Sequence, residues 1–169
     1  SCHCNRVRYA ILCEEPVEAK FCHCNDCHKL FGSPAQWTAM LAKTDVHFTS
    51  GVDNLAFYHL PDQTHEHKVP CKAACRTCRS PVMDEGRKML VIYPALIDFD
   101  DCEGRRTTDD GKILTAEEGR QKFFPTCHIF YEQRVDDYVD GKPKYRRHKE
   151  DGETMPERGG LKYGMGATA

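Results

Sequence analysis

The sequence predicts a mostly-β protein of short elements stapled by clustered cysteines. Three observations carry this. Short β-rich segments recur between Gly and Pro punctuation, only one stretch carries a full set of helix-boundary signals, and seven of the eleven cysteines fall into three tight clusters. The clusters are Cys2-x-Cys4, Cys22-x-Cys24-x-x-Cys27 and Cys75-x-x-Cys78.

Residues 7–12 are β-rich and follow the first cluster directly, and residues 17–21 alternate and run into the second. Residues 36–42, 46–49 and 55–60 read as further strands, punctuated by Gly51 and Pro61. Residues 64–69 alternate toward the third cluster, 89–97 form a long apolar run interrupted by Pro94, and 128–131 begin another strand. A half-turn is expected over residues 27–30. The one predicted helix is capped by Thr115, carries Glu118 at the capping-box position and stops near Phe124, before Pro125. Residues 98–111 are acidic, contain Gly104 and Gly111, and read as an exposed loop. From Asp140 apolar periodicity fades and Lys142, Lys144, Arg146, Arg147 and Lys149 cluster. The expected organisation is therefore a metal-binding domain over 1–139 and a charged, mobile extension over 140–169.

Composition narrows the function classes. A chain of 169 residues with 40% hydrophobic and 30% charged residues can bury one real core. No apolar run approaches the roughly 20 residues a membrane span needs. The formal charge of −2 lacks the basic footprint of a nucleic-acid binder, so neither membrane nor nucleic acid is expected as a partner.

The odd cysteine count and the C-x-C and C-x-x-C spacings suit metal knuckles better than long-range disulfides. Reduced thiols in turn point to a cytoplasmic location. Two four-sulfur sites need eight thiolates, and the clusters supply seven. Keeping each cluster whole while filling one four-sulfur site gives two plus two, with three left over. Cys2, Cys4, Cys75 and Cys78 are thus expected to hold a structural zinc that ties the N-terminal strand to the middle of the chain. Cys22, Cys24 and Cys27 are expected to hold a second zinc with an open position. An ion there binds a soft ligand such as a thiol, lowers its pKa and polarises a carbonyl.

A fourth protein ligand would instead close that site, and His23, His28, Cys71 and His128 are the candidates. His23 lies between two ligands and is expected to point away. His65 and His67 would share one face of a strand and could form a metal pair. Asp26, inside the cluster loop, either braces it or accepts a proton. The isolated Cys13, Cys71, Cys102 and Cys127 read as small buried hydrophobes.

These motifs, in order, resemble a known family. Ser1-Cys-His-Cys-Asn-Arg-Val-Arg-Tyr9 is similar to its G-x-C-x-C-G-x-V-R-Y/F opening. Cys22-His-Cys-Asn-Asp-Cys-His-Lys-Leu-Phe-Gly32 resembles C-H-C-S-x-C-R-K-x-x-G, and Cys75-Arg-Thr-Cys-Arg-Ser80 resembles C-x-x-C-G-S. Ile97-Asp98 and Pro125-Thr-Cys-His-Ile-Phe130 echo later segments. The family is that of glutathione-dependent formaldehyde-activating enzymes, which includes centromere protein V, and the likeness spans about residues 1 to 140. It implies several short coiled antiparallel β-sheets with two zinc ions, the four paired cysteines holding the structural one and the trio the catalytic one. It also implies condensation of glutathione with formaldehyde, a carbon–sulfur lyase activity. Ser1, Asn5 and Arg79 stand where the family often has glycine, the residue that permits positive φ at a knuckle. The segment 98–124 looks longer than usual for the family.

The leading expectation is a zinc-dependent carbon–sulfur lyase or synthase that adds zinc-bound glutathione to formaldehyde or a related small electrophile. Arg6, Arg8, Lys29 and Arg76 are candidates for holding the glutathione carboxylates. Two alternatives stand beside it: the same scaffold acting on a larger metabolite, favoured by the long 98–124 segment, and a non-catalytic zinc module, favoured by the basic segment 142–149.

Overall fold

A computed structural model describes residues 1–100 and 115–157. Its strands are β1 (Arg8–Ile11), β2 (Glu18–Cys22), β3 (Gln36–Ala42), β4 (Val46–Ser50), β5 (Leu55–Tyr58), β6 (Cys71–Cys75), β7 (Pro81–Glu85), β8 (Met89–Ile92) and β9 (Cys127–Ile129). Two seven-residue helices accompany them, α1 (Asn25–Phe31) and α2 (Ala116–Lys122). The protein is mostly β, with antiparallel pairing, as the sequence predicts.

The described chain forms two compact units. The first comprises Ser1–Lys20 and Trp37–Pro125; the second comprises Phe21–Gln36 and the described residues from Thr126 onward. The first unit holds the two-stranded sheet β1–β4 and the strand order β5-β6-β7-β8-β3-β2. Its core gathers Val7, Ala39, Leu41, Leu55, Ala73, Val82, Leu90, Ile92 and Phe123 together with Cys2 and Cys75. Sulfurs thus sit where a larger β protein would place aliphatic side chains. Gly51, between β4 and β5, has φ +77, and a Cβ there would lie 1.9 Å from the Arg6 carbonyl oxygen. Only glycine lets this turn close against the first knuckle.

The chain passes into the second unit within β2, whose last residues stand beside β9. Cys22, Cys27, Cys127 and Ile129 form the core of this unit, with Cys24, Phe31, Phe130 and Tyr145 packed against them. Helix α1 replaces the half-turn expected over 27–30, and the prediction of one helix is corrected to two. The Cys24 sulfur caps α1 by accepting from the Cys27 amide (3.4 Å), and Gly32 ends it in the left-handed region. No Ser, Thr or Asp advertises this N-cap, so the usual start signal was missing. Helix α2 has the expected boundary: Thr115 and Glu118 form a reciprocal capping box.

Two strand expectations shift. Residues 64–69 do not form a strand: Thr64 pairs with His59 in an isolated bridge, and the strand is β6, displaced to Cys71–Cys75. Its alternation was present, with Cys71, Ala73 and Cys75 buried and Lys72 and Ala74 less so. The run 89–97 stops at Ile92, and Pro94 opens a 3-10 turn, Pro94–Leu96, because it has no amide to donate.

Nor does the expected mobile extension begin at Asp140. Lys144 is buried and bridges to His128, and Tyr145 exchanges hydrogen bonds with residues 128 and 131. The basic residues are ion-paired locally: Lys142 to Asp140, Lys144 to Asp140 and Glu157, Arg146 to Glu132 and Glu153, and Arg147 to Glu132. Charge density hid a segment whose cations neutralise its own acids. Residues 158–169 of that extension and the loop segment 101–114, with Cys102, lie outside the described residues.

Candidate metal centres

In the first unit the loop after Ser1 and the β6–β7 turn bring Cys2, Cys4, Cys75 and Cys78 together, with all four sulfurs within 4.8 Å of one another. Cys2 and Cys4 lie 3.6 Å apart, and Cys4 and Cys75 lie 3.8 Å apart. A tetrahedron with Zn–S bonds of about 2.3 Å has edges of roughly 3.8 Å, so these separations fit one ion. Backbone conformation makes the approach possible. Asn5 (φ 59) and Arg79 (φ 64), each following a cysteine, both adopt the left-handed region.

Donors surround these sulfurs. The Val7 amide donates to Cys2 (3.3 Å), the Asn54 side-chain amide donates to Cys75 (3.1 Å), and Ser80 Oγ lies 3.3 Å from Cys78. Burial opposes ionisation of Cys78, but the Ser80 hydroxyl and amide outweigh it and bring this thiol down to about 5. Cys4 goes the other way, to about 11: its hydrogen bond with the Arg6 amide lowers it, but burial and then the neighbouring sulfurs of Cys78, Cys2 and Cys75 outweigh that. Such crowding of thiols is relieved by a shared cation, which favours all four thiolates at once. Asn54 was not foreseen. Nothing local marks it, because it reaches the cluster from the 3-10 turn Val52–Asn54, just before β5.

The second unit builds its cluster from the end of β2 and from α1. Cys22, Cys24 and Cys27 bring their sulfurs within 4.8 Å, with Cys22 and Cys27 3.5 Å apart. Cys24, with burial adding to it, pushes the Cys22 thiol up to about 12 against the hydrogen bond from Cys27, which lowers it; Cys22, Cys24 and burial push Cys27 up as well. Donor chemistry and spacing fit a thiophilic ion here too. Among the described residues, no fourth His, Cys, Asp or Glu joins this group.

Each candidate for a fourth ligand is engaged elsewhere. The His28 ring lies 3.0 Å from the Pro34 carbonyl. Cys71 groups with His67 and Glu85. His23 and His128 share a hydrogen bond, Nε2 to Nδ1, of 2.8 Å, and His128 Nε2 lies 3.0 Å from Asp140. That chain fixes the tautomers. The Asp140 carboxylate accepts, so His128 Nε2 donates and its Nδ1 accepts from His23 Nε2–H. His23 Nδ1 therefore carries a bare lone pair, and it is buried without a hydrogen bond. Burial, then the neighbouring His128, brings His23 down to about 3, so the ring is neutral at neutral pH and this atom keeps its lone pair. Burial works against the Asp140 carboxylate, yet Lys144 and His128 outweigh it and hold its pKa well below the usual range. Lys144 in turn lies 2.7 Å from both Asp140 and Glu157. This buried polar chain was not foreseen as a unit, although His128 sits in the P-x-x-H-I-F segment.

The remaining predicted site residues separate. Asp26 is exposed in the first turn of α1, and Lys29 is exposed on the same helix. Arg6 is exposed at the four-sulfur knuckle; Arg76 is there too, with its guanidinium donating to the Leu55 carbonyl (3.2 Å). His65 and His67 do not form a pair: His65 meets the Phe57 carbonyl, whereas His67 meets Glu85.

Comparison with known proteins adds three findings. Residues 1–133 match the family described as glutathione-dependent formaldehyde-activating enzyme. No curated protein matches the chain. Among solved structures, a Rhodobacter sphaeroides protein is similar at 21% identity and a TM-score of 0.47, over 61% of this chain and 90% of that one.

Proposed function

The chain belongs to the family of glutathione-dependent formaldehyde-activating enzymes, and from that premise we propose that it is a zinc-dependent carbon–sulfur lyase or synthase joining glutathione to formaldehyde or a related small electrophile. One observation carries this reading: three sulfurs converge in the second unit and no fourth described ligand completes their group. An ion held by Cys22, Cys24 and Cys27 supplies Lewis acidity, making a thiolate available at neutral pH and polarising a carbonyl. The four-sulfur group of the first unit holds a structural ion in this reading.

The chain's own residues set the stage for that chemistry. Helix α1 presents Cys27 and, through the Cys24 cap, fixes two of the three sulfurs relative to each other. The relay from Asp140 through His128 locks the His23 ring, keeping its imidazole turned to His128 and leaving the trio a thiolate-only donor set. Lys29, exposed on α1, is the cation of this unit best placed along the chain to meet a glutathione carboxylate. We place the protein in the cytoplasm, where both thiols and glutathione are kept reduced; among the described residues, no helix is long and apolar enough to cross a membrane. The non-catalytic reading is the weaker one here, because Lys144, Arg146 and Arg147 of its basic segment have acidic partners nearby.

The test is glutathione-dependent loss of free formaldehyde above the uncatalysed rate. Wild type is expected to accelerate it, and Cys24→Ser to fall at least about 100-fold, on the scale of losing a principal electrostatic contributor. A Cys24→Ser protein as fast as wild type sinks the proposal.

A further inference from the structure

We propose that His67, Cys71 and Glu85 form a third metal site, for a divalent transition ion such as Zn2+, in the first unit and separate from both cysteine clusters. Their donor atoms, one nitrogen, one sulfur and one carboxylate oxygen, all lie within 4.8 Å of one another. Cys71 and Glu85 are direct cross-strand partners on β6 and β7, so the pleat sends both side chains to the same face. His67 reaches them from the connection before β6, where its ring stacks on Phe57 with centroids 4.0 Å apart and planes 17° apart. Its Nε2 lies 2.6 Å from Glu85 Oε2, and Lys43 Nζ lies 2.5 Å from Oε1. Lys43 thus engages one carboxylate oxygen while the other faces the histidine.

The donor types select the ion. One imidazole, one thiolate and one carboxylate suit zinc or cobalt; calcium and magnesium prefer oxygen alone. The site is distinct from the four-sulfur group: Cys71 and Cys75 bound the same strand four residues apart, roughly 13 Å at strand rise. A plain His67–Glu85 ion pair closing the connection accounts for two of the three groups. It does not account for a buried sulfur in reach of both. Three ligands leave a further position for water, so an ion here would pin the exposed 64–70 connection to the sheet.

The experiment compares full-length wild type with His67→Ala, Cys71→Ser and Cys24→Ser, each reduced, loaded with Co2+, freed of excess ion and assayed for retained metal. His67 is exposed, so its variant tests the site even if Cys71→Ser folds poorly. Wild type is expected to retain one equivalent more than His67→Ala, and its cobalt spectrum to lose part of its thiolate charge-transfer intensity in Cys71→Ser. Cys24→Ser is expected to keep this third equivalent, which makes the result independent of the proposed enzyme activity. Equal retained metal in wild type and His67→Ala overturns the assignment.

Discussion

The four-sulfur and three-sulfur clusters use the same donor but join different stretches of chain. The first brings together Cys4 and Cys75, 71 residues apart; the second brings together Cys22 and Cys27, five apart. A cross-link over 71 residues removes about 4 kcal/mol of chain entropy from the unfolded state, and one over five residues about 2 kcal/mol, by the loop argument used for disulfides. The first cluster also shares a core with Val7, Leu41 and Ile92, whereas the second shares one with only a few residues around β9. Long closure with full coordination suits a staple. Local closure with three sulfurs can lose or exchange a ligand without unravelling the chain.

The sharpest way to break this contrast is to remove one sulfur from each. Cys75→Ser is expected to destabilise the first unit by about 4 kcal/mol or more, read as a collapse of the thermal melting transition. Cys24→Ser is expected to move that transition much less while abolishing formaldehyde turnover. Similar melting shifts in the two variants would erase the distinction between staple and reaction centre.

A smaller effect concerns the polar chain of the second unit. Asp140 has a folded pKa below its unfolded one, so its contribution is present above the ordinary carboxylate value of about 3.9 and is lost as pH falls through the folded value. Hydrogen-exchange protection of the Tyr145 amide, which donates to the His128 carbonyl (2.9 Å), is the readout. Wild type should keep this protection from neutral pH down to about 4 and lose it below. Asp140→Asn should start lower at neutral pH and show a flatter acid limb. Parallel profiles would detach Asp140 from the stability of this unit.

The smallest expected change is a gain. Arg79 holds φ 64, a conformation that costs an L-residue roughly 1 kcal/mol and glycine almost nothing. Arg79→Gly should raise stability by somewhat less than that, because glycine also adds entropy to the unfolded chain. A melting temperature below wild type would show that the arginine side chain contributes more than its backbone costs.

Much of this was legible beforehand, for identifiable reasons. The partition of the cysteines follows from spacing, and the left-handed residues Asn5 and Arg79 stand at positions where the family the chain resembles often has glycine. Residues 36–42 and the Thr115–Glu118 cap announced themselves through periodicity and capping chemistry. Strand β6 was hidden because Cys-Lys-Ala-Ala-Cys has little β-propensity, its place being fixed by pairing with β5 and β7. Helix α1 was underestimated because its cap is a sulfur. The Asp140–His128–His23 chain and the His67–Cys71–Glu85 group depend on contacts between distant or differently paired residues, which no local pattern encodes.

The sulfur of Cys24 holds two posts at once, as the cap of α1 and as one of three donors. Oxidation of this partly exposed residue to the sulfinate or sulfonate would alter the cap of α1 and one of the three donors in the same chemical event. The three-sulfur group therefore presents a sulfur to peroxide, while the deeply buried sulfurs of Cys2 and Cys75 are shielded from the same attack.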